Sequence, residues 1–319
     1  MKNELPHDLV RTLLAVVDEG TFDAAAAVLH VTPSAVSQRV KALEQRAGRV
    51  LLTRTRPVRA TESGQVVVRY ARQLARLEGD ARTALGMDEA ARDGDGDEAA
   101  APTWLAVAVN ADSLATWFVP ALAALADDAR IHVDLRREDE AHTTALLREG
   151  EVMAAVTSSS DPVAGCSVHP LGAMRYLPVA APAFAARWLT GDPARWIPRA
   201  PVVCFDRRDD LQDALARELT HGRPASRLRH YVPSSEGFAD AVTAGLGWGL
   251  VPEGQARAGL ADGRLVEILP GRTVEVPLFW QQWRLDSPAL ATLASLVTAA
   301  AARALTPPPG RKRRAASTK

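Results

Sequence analysis

The sequence predicts a mixed fold: an all-α winged helix-turn-helix head, a long linker helix, then two α/β lobes. Three observations carry this expectation. Residues 5–85 are patterned almost wholly for helix, with one short basic extended stretch inside them. A Gly/Asp/Ala-rich run at 87–102 then interrupts all periodicity. Beyond it strand and helix patterns alternate, the mark of a parallel sheet covered by helices. The expected divisions are 1–61 for the head, 62–86 for the linker helix and 87–102 for an acidic flexible linker. The lobed domain follows at 103–305, with lobe I at 103–161 and 272–305 and lobe II at 162–271; 306–319 is a disordered basic tail.

In the head, Leu9, Leu13, Val16 and Val17 recur at helical spacing and Gly20 ends that helix. Asp23 is expected to cap the short Ala24–Leu29 segment. Thr32-Pro33 restarts the chain as a helix, a hydroxyl cap followed by proline at the first helical position. From Pro33 to about Ala47 the faces separate: Val36, Val40 and Leu43 on one side, Ser34, Ser37, Gln38 and Lys41 on the other. Helix, short turn, helix is the helix-turn-helix pattern. Small polar side chains ending in a lysine suit the major groove of double-stranded DNA. Hydroxyls and amides pair with base edges there while Lys41 reaches phosphate.

The stretch Leu51–Arg59 reads as a wing that lays Arg54 and Arg56 on the DNA backbone or in the minor groove; an ordinary basic loop is the alternative. Thr61 caps a helix to about Leu85, in which Val67, Tyr70, Leu74, Leu77, Ala81 and Ala84 make a short heptad seam. The seam is expected to pair two copies, because a two-fold dimer matches an inverted-repeat operator. Packing on its own domain is the alternative.

In the lobed half, strands are expected at Trp104–Val109, Ile131–Arg136 and Val152–Ser158, with helices at Ser113–Leu125 and Thr143–Glu149 between them. A second unit is expected near 165–270, with strands at Cys166–Val168, Tyr176–Val179 and Val202–Phe205. Glu275–Trp283 reads as extended and Ala289–Leu305 as a final helix. Two such lobes enclose a cleft at strand ends, where small ligands bind. Asn110, Asp112 and Ser113 lie at such an end: amides and the Ser113 hydroxyl suit a carboxylate, and Asp112 either pairs an ammonium or caps the helix. Trp117 walls the cleft or sits in the core. Asp206, or Ser234-Ser235-Glu236, offers a carboxylate to a cationic side chain, though each is also an ordinary solvated loop. Gly245, Gly247 and Gly249 around Trp248 read as a tight turn lining the cleft, not as a nucleotide loop.

Composition narrows the class further. The formal net charge is zero, but residues 1–61 hold nine Lys/Arg against six Asp/Glu, and 303–319 hold six basic residues and no acid. Cys166 and Cys204 stand far apart without ligand spacing, so two reduced thiols are expected, with no metal and no cofactor. The seven histidines show no His-Glu-x-x-His spacing, and no serine sits in a Gly-x-Ser-x-Gly turn. Cys166 and His169 would face opposite sides of a strand. No catalytic residue is assigned and no enzyme is expected. No stretch approaches 18 uninterrupted apolar residues, so a cytoplasmic protein without membrane contact is expected.

The segment Phe22–Glu44, with Leu51-Leu52-Thr53-Arg54 and Thr61-Glu62-Ser63-Gly64, resembles the LysR-type transcriptional regulators over nearly the whole chain to about residue 305. Asn110–Trp117, Gly165-Cys166, Leu171-Gly172, Gly245–Pro252 and Pro277–Trp283 place the resemblance in the lysine and arginine exporter branch (LysG/ArgP-like, also described as replication-initiation inhibitors). The 87–102 linker is long for the family. The resemblance implies a homodimer or tetramer, lobes of periplasmic-binding-protein type, and a basic amino acid as effector. It also implies base contacts from Ser34, Ser37 and Gln38, and phosphate contacts from Thr32 and the wing arginines. The functional expectation is a regulator, acting indirectly on RNA polymerase, that activates an amino-acid exporter gene in response to lysine, arginine or histidine. The alternative is a nucleoid or replication-control protein with little effector dependence.

Overall fold

The computed structural model describes residues 4–87, 103–127, 131–137 and 140–307. The expected acidic linker from 88 onward, and the tail from 308, lie outside the described residues.

The head forms as its periodicity demands. Helix α1 (His7–Glu19) buries Leu9, Val10, Leu13 and Val16 and ends at Gly20 in the left-handed conformation. Helix α2 (Phe22–Val28) corrects the expected cap. Thr21, not Asp23, precedes the helix, and its hydroxyl accepts from the Ala24 N–H at 3.1 Å. Asp23 lies inside the first turn, two positions past the cap. Helix α3 (Pro33–Ala47) is capped by Thr32, which accepts from the Ala35 N–H at 3.2 Å, and it buries Val36, Val40 and Leu43.

Strands β1 (Leu52–Thr53) and β2 (Arg59–Ala60) pair antiparallel as the wing. Glu44 fastens the wing to α3: its Oε1 accepts from the N–H groups of Leu51 and Leu52 at 2.8 and 3.3 Å. Helix α4 (Glu62–Ala84) then starts at Thr61, whose hydroxyl accepts from Gly64 N–H at 3.0 Å and whose own N–H donates to the Leu51 carbonyl at 2.9 Å. A Cβ at Gly64 would stand 1.9 Å from that same carbonyl oxygen, so only glycine lets α4 lie against the wing. Val67, Val68 and Ala71 of α4 close the head's core, with α4 packed against α1.

In the lobed half, β3 (Thr103–Val109), β4 (Ile131–Arg137) and β5 (Ala154–Thr157) pair in parallel, in the order β4-β3-β5. The helical run at 111–127, called α5, and α6 (Glu140–Glu149) connect them, as expected for a βαβαβ unit. Within α5 the turn Leu114–Phe118 is widened to a π turn. Pro120, two residues on, has no N–H to return to the carbonyl four residues back.

The expectation of two separate strands at Cys166–Val168 and Tyr176–Val179 is overturned: both are ends of one 15-residue strand, β6 (Cys166–Ala180). Pro170 and Gly172 lie inside this strand, and the pairing absorbs them. The long partner strand β11 (Val274–Trp283) shifts register between Leu278 and Phe279, directly opposite. Gly172 (φ 135°) serves a second purpose. A Cβ there would stand 2.5 Å from the Thr306 carbonyl oxygen, and Thr306 exchanges backbone hydrogen bonds with Ala173 at 2.9 and 3.0 Å. The first residue of the expected tail, Thr306, is therefore seated on the sheet.

Lobe II adds α7 (Pro182–Trp188), α8 (Pro193–Trp196), β7 (Val202–Cys204), α9 (Leu211–Leu219), β8 (Arg229–Tyr231), α10 (Ser235–Thr243), β9 (Gly249–Pro252), α11 (Glu253–Ala261) and β10 (Val266–Glu267). Strands β9 and β10 hydrogen-bond to the second half of β6, while β5 hydrogen-bonds to the second half of β11. The order β10-β6-β11-β5-β3-β4 thus makes one sheet that runs through both lobes. Helix α12 (Pro288–Ala304) returns to pack Leu290, Leu293 and Val297 into the shared core.

Candidate functional site

One face of α3 carries only exposed side chains: Ser34, Ser37, Gln38 and Lys41 lie on it, with Thr32 and Pro33 exposed at its start. Val36, Val40 and Leu43 point the other way, so the polar row is held by the core behind it. Arg54 and Arg56 are exposed on the wing beside it. The Arg54 guanidinium lies over the Phe22 ring at 6.0 Å, which ties the wing arginine to α2. All eight of these residues are exposed.

The second site is a cavity of about 610 Å³ between the lobes, a size that accepts a small metabolite. Lobe I contributes Asn110, Ala111, Asp112 and Ser158; lobe II contributes Phe205, Asp206, Asp209 and Asp210. Tyr176, Leu211, Phe238 and Leu250 supply apolar surface between the polar ends. Asp112 is not a helix cap. Its Oδ2 accepts from the Tyr176 hydroxyl and its Oδ1 from the Ser235 hydroxyl, both at 2.6 Å. Asn110 precedes α5 without a side-chain cap bond, and its buried Oδ1 has no partner among the described residues. The buried Ser113 hydroxyl is likewise unpartnered, although it does not line the cavity.

Across the cleft, Asp206 accepts from the N–H groups of Arg208 and Asp209, which shapes its loop. The Asp209 carboxyl is pushed above the usual carboxylate range. Burial is the main cause; N–H donation from Phe205 and Leu211 opposes it, and the charges of Asp206 and Asp112 add to it. Behind this loop Cys204 is buried and its thiol is pushed up to about 11, chiefly by burial, which keeps it protonated at neutral pH.

Both halves match known family models. Residues 7–65 match the bacterial regulatory helix-turn-helix protein, lysR family, and residues 102–302 match the LysR substrate binding domain. The chain belongs to the LysR family. This LysR-type transcriptional regulator is 48% identical over 292 residues to the lysine export transcriptional regulatory protein LysG of Corynebacterium efficiens, covering 91% of this chain and 96% of that one. Among solved structures, ArgP from Mycobacterium tuberculosis is similar with a TM-score of 0.86 at 45% identity, over 96% of this chain and all of the other. Full-length LysG from Corynebacterium glutamicum with bound effector Arg is similar with a TM-score of 0.79 at 41% identity, over 95% of this chain and all of that one.

Within the LysR-type framework several site expectations change. Trp117 and Trp248 are core residues: Trp117 packs on Phe118, and Trp248 is fully buried edge-on to Trp196. Neither lines the cavity, because each ring is large enough to fill the layer between sheet and helices. The Gly245–Gly249 turn packs against Pro201 and Phe238, and only the following Leu250 and Pro252 reach the cleft. Ser234 caps α10, and Glu236 is exposed; of that triplet only Ser235 reaches Asp112.

On the expected dimer seam, Val67 turns inward to the head's core and Leu74 is half-buried, while Tyr70, Leu77 and Ala81 are exposed. A heptad template cannot separate a stripe that covers its own domain from one that covers a partner. Tyr176, Asp209 and Phe238 were not expected at the site. They come from β6, from the turn after β7 and from α10, and only the folded topology brings these together.

Proposed function

We propose that this LysR-type regulator senses a basic amino acid (lysine, arginine or histidine) between its lobes and activates an amino-acid exporter gene in response. The observation that carries this reading is the cleft itself. It places one carboxylate, Asp112, beside the unpartnered Asn110 Oδ1 in lobe I, and an arc of three more in lobe II: Asp206, Asp209 and Asp210, the last ion-paired with Arg217. The first group, all acceptors, suits the α-ammonium, the apolar middle suits a methylene stem, and Asp206 and Asp209 of the arc suit a side-chain cation. LysG of Corynebacterium glutamicum, solved with arginine bound, supports it.

On DNA, α3 enters the major groove of an inverted-repeat operator and the wing follows the backbone. RNA polymerase is reached through the promoter so occupied, and the protein acts in the cytoplasm. The exposed Tyr70, Leu77 and Ala81 of α4, together with Val66, pair two copies. Changing Tyr70 and Leu77 together to Asp is expected to leave a monomer in sedimentation experiments; an unchanged dimer would remove α4 from the interface.

Fluorescence anisotropy of the gene's own upstream region, with and without each amino acid, tests the function. Tight binding that survives random competitor and shifts with one amino acid supports the reading; binding lost equally to random DNA and blind to amino acids sinks it. Gln38→Ala is expected to lower preference for the specific site by roughly 1–3 kcal/mol, whereas Arg54→Ala weakens all DNA alike and flattens the salt dependence. Equal losses on specific and random DNA for Gln38→Ala would end the recognition-helix assignment.

A further inference from the structure

The Asp112 carboxylate is held from two sides, and the holders do not belong to its own lobe. Asp112 sits on the first turn of α5 in lobe I. Tyr176, 64 residues on, comes from β6, the strand shared by the lobes. Ser235, 123 residues on, comes from the first turn of α10 in lobe II, with Gln255 Oε1 of α11 at 3.2 Å from the same hydroxyl. Each carboxylate oxygen receives one hydroxyl, which fixes the plane of the group and leaves one lone pair on each oxygen for a ligand.

Asn110 stands beside it, 8% exposed and lining the cavity, with an Oδ1 that has no partner among the described residues. A buried acceptor of this kind calls for a donor. The Asp112 oxygens and Asn110 Oδ1 are all acceptors, and the group with three N–H donors and a matching charge is an ammonium.

We propose that Tyr176 and Ser235 are positioning residues for an ammonium receptor centred on Asp112, so that the receptor is complete only when the lobes are together. This rests on the amino-acid reading above and adds its coupling to closure. With lobe II swung away, Ser235 leaves Asp112, the carboxylate loses one fixed donor, and its remaining lone pairs are no longer aimed. An ammonium that prefers the fully held carboxylate therefore favours the closed arrangement by that difference in affinity.

The test is calorimetric titration of the full-length protein with L-arginine and with 5-guanidinovalerate, which is arginine without its α-amino group. Tyr176→Phe and Ser235→Ala are each expected to raise the Kd for arginine about tenfold, as loss of one hydrogen bond to a charged group does. Each should leave the Kd for 5-guanidinovalerate within about twofold, and Ser235→Thr, which keeps the hydroxyl, should restore arginine binding. If 5-guanidinovalerate does not bind the parent at all, the loss in Ser235→Ala and recovery in Ser235→Thr decide the matter with arginine alone. Equal losses for both ligands would mean that the two residues only shape the cleft, and would overturn the proposal. So would unchanged arginine binding in the variants, or equal affinity of the parent for the two ligands. A parent that binds none of the three basic amino acids overturns the functional reading instead.

Discussion

An Asp112→Ala protein is expected to bind its operator as the parent does when no effector is present, and to stop responding to arginine, lysine or histidine. The carboxylate is the only acid that touches both lobes among the described cleft residues. Removing it takes a charge-assisted bond from the ligand and strands the Tyr176 and Ser235 hydroxyls without their acceptor. A bond to a charged group contributes about 1.5–3 kcal/mol, so the effector Kd should rise by roughly 10- to 150-fold. Asp112→Asn separates the two effects, because it keeps an acceptor oxygen and loses the charge. Anisotropy titrations read both properties in one experiment. A response to arginine within twofold of the parent would show that the cleft charge is read elsewhere, with the Asp206–Asp210 arc the next residues to change.

Gly64→Ala is expected to have the largest effect on the fold. The added methyl would meet the Leu51 carbonyl oxygen at 1.9 Å and its carbon at 2.9 Å. Both are backbone atoms, so no rotamer change relieves the clash. That carbonyl also accepts from Thr61 N–H, and Thr61 in turn caps α4 through Gly64. Moving it therefore disturbs the wing and the cap together. The cost is expected to reach or pass about 3 kcal/mol, the upper end of overpacking, which lowers the head's melting temperature by roughly 10–20 °C. Specific DNA binding should fall with it, while effector binding in the lobes persists. A melting temperature within a few degrees of the parent would show that the wing moves aside freely.

What was legible in the sequence follows how far apart the cooperating residues lie. The α3 face could be read directly, because Thr32, Val36, Gln38 and Lys41 are neighbours and one helical period sorts them. The βαβαβ order of lobe I was equally local. The cleft was legible in part: Asn110 and Asp112 stand where a strand passes into a helix, a place that marks itself, and Asp206 directly follows an expected strand of the other lobe. Tyr176 carries no such mark, since a tyrosine in a strand is ordinary until the fold sets its hydroxyl 2.6 Å from a carboxylate. Errors arose where a local signal has two physical causes. Pro170 and Gly172 end many strands, but here a register shift and a close-packed C-terminal residue account for them. Val67 obeys the heptad spacing and yet covers its own core. Thr21 and Asp23 are both favoured cap residues two positions apart, and only the folded chain decides between them.

The long pair β6 and β11 decides how the lobes can move. The two strands bond to each other along most of their length and carry lobe II on one half and lobe I on the other. The ribbon is interrupted only by the register shift at Leu278/Phe279, opposite Gly172 and Pro170, so relative motion is expected to be taken up as small changes of twist along it. An instrument maker would call this a flexure and not a pivot. A flexure travels only a short way, returns to the same rest position, and has no play. For a regulator that converts the presence of one small molecule into an altered grip on DNA, such a mounting passes a small displacement at the cleft on to the rest of the chain without losing it as slack.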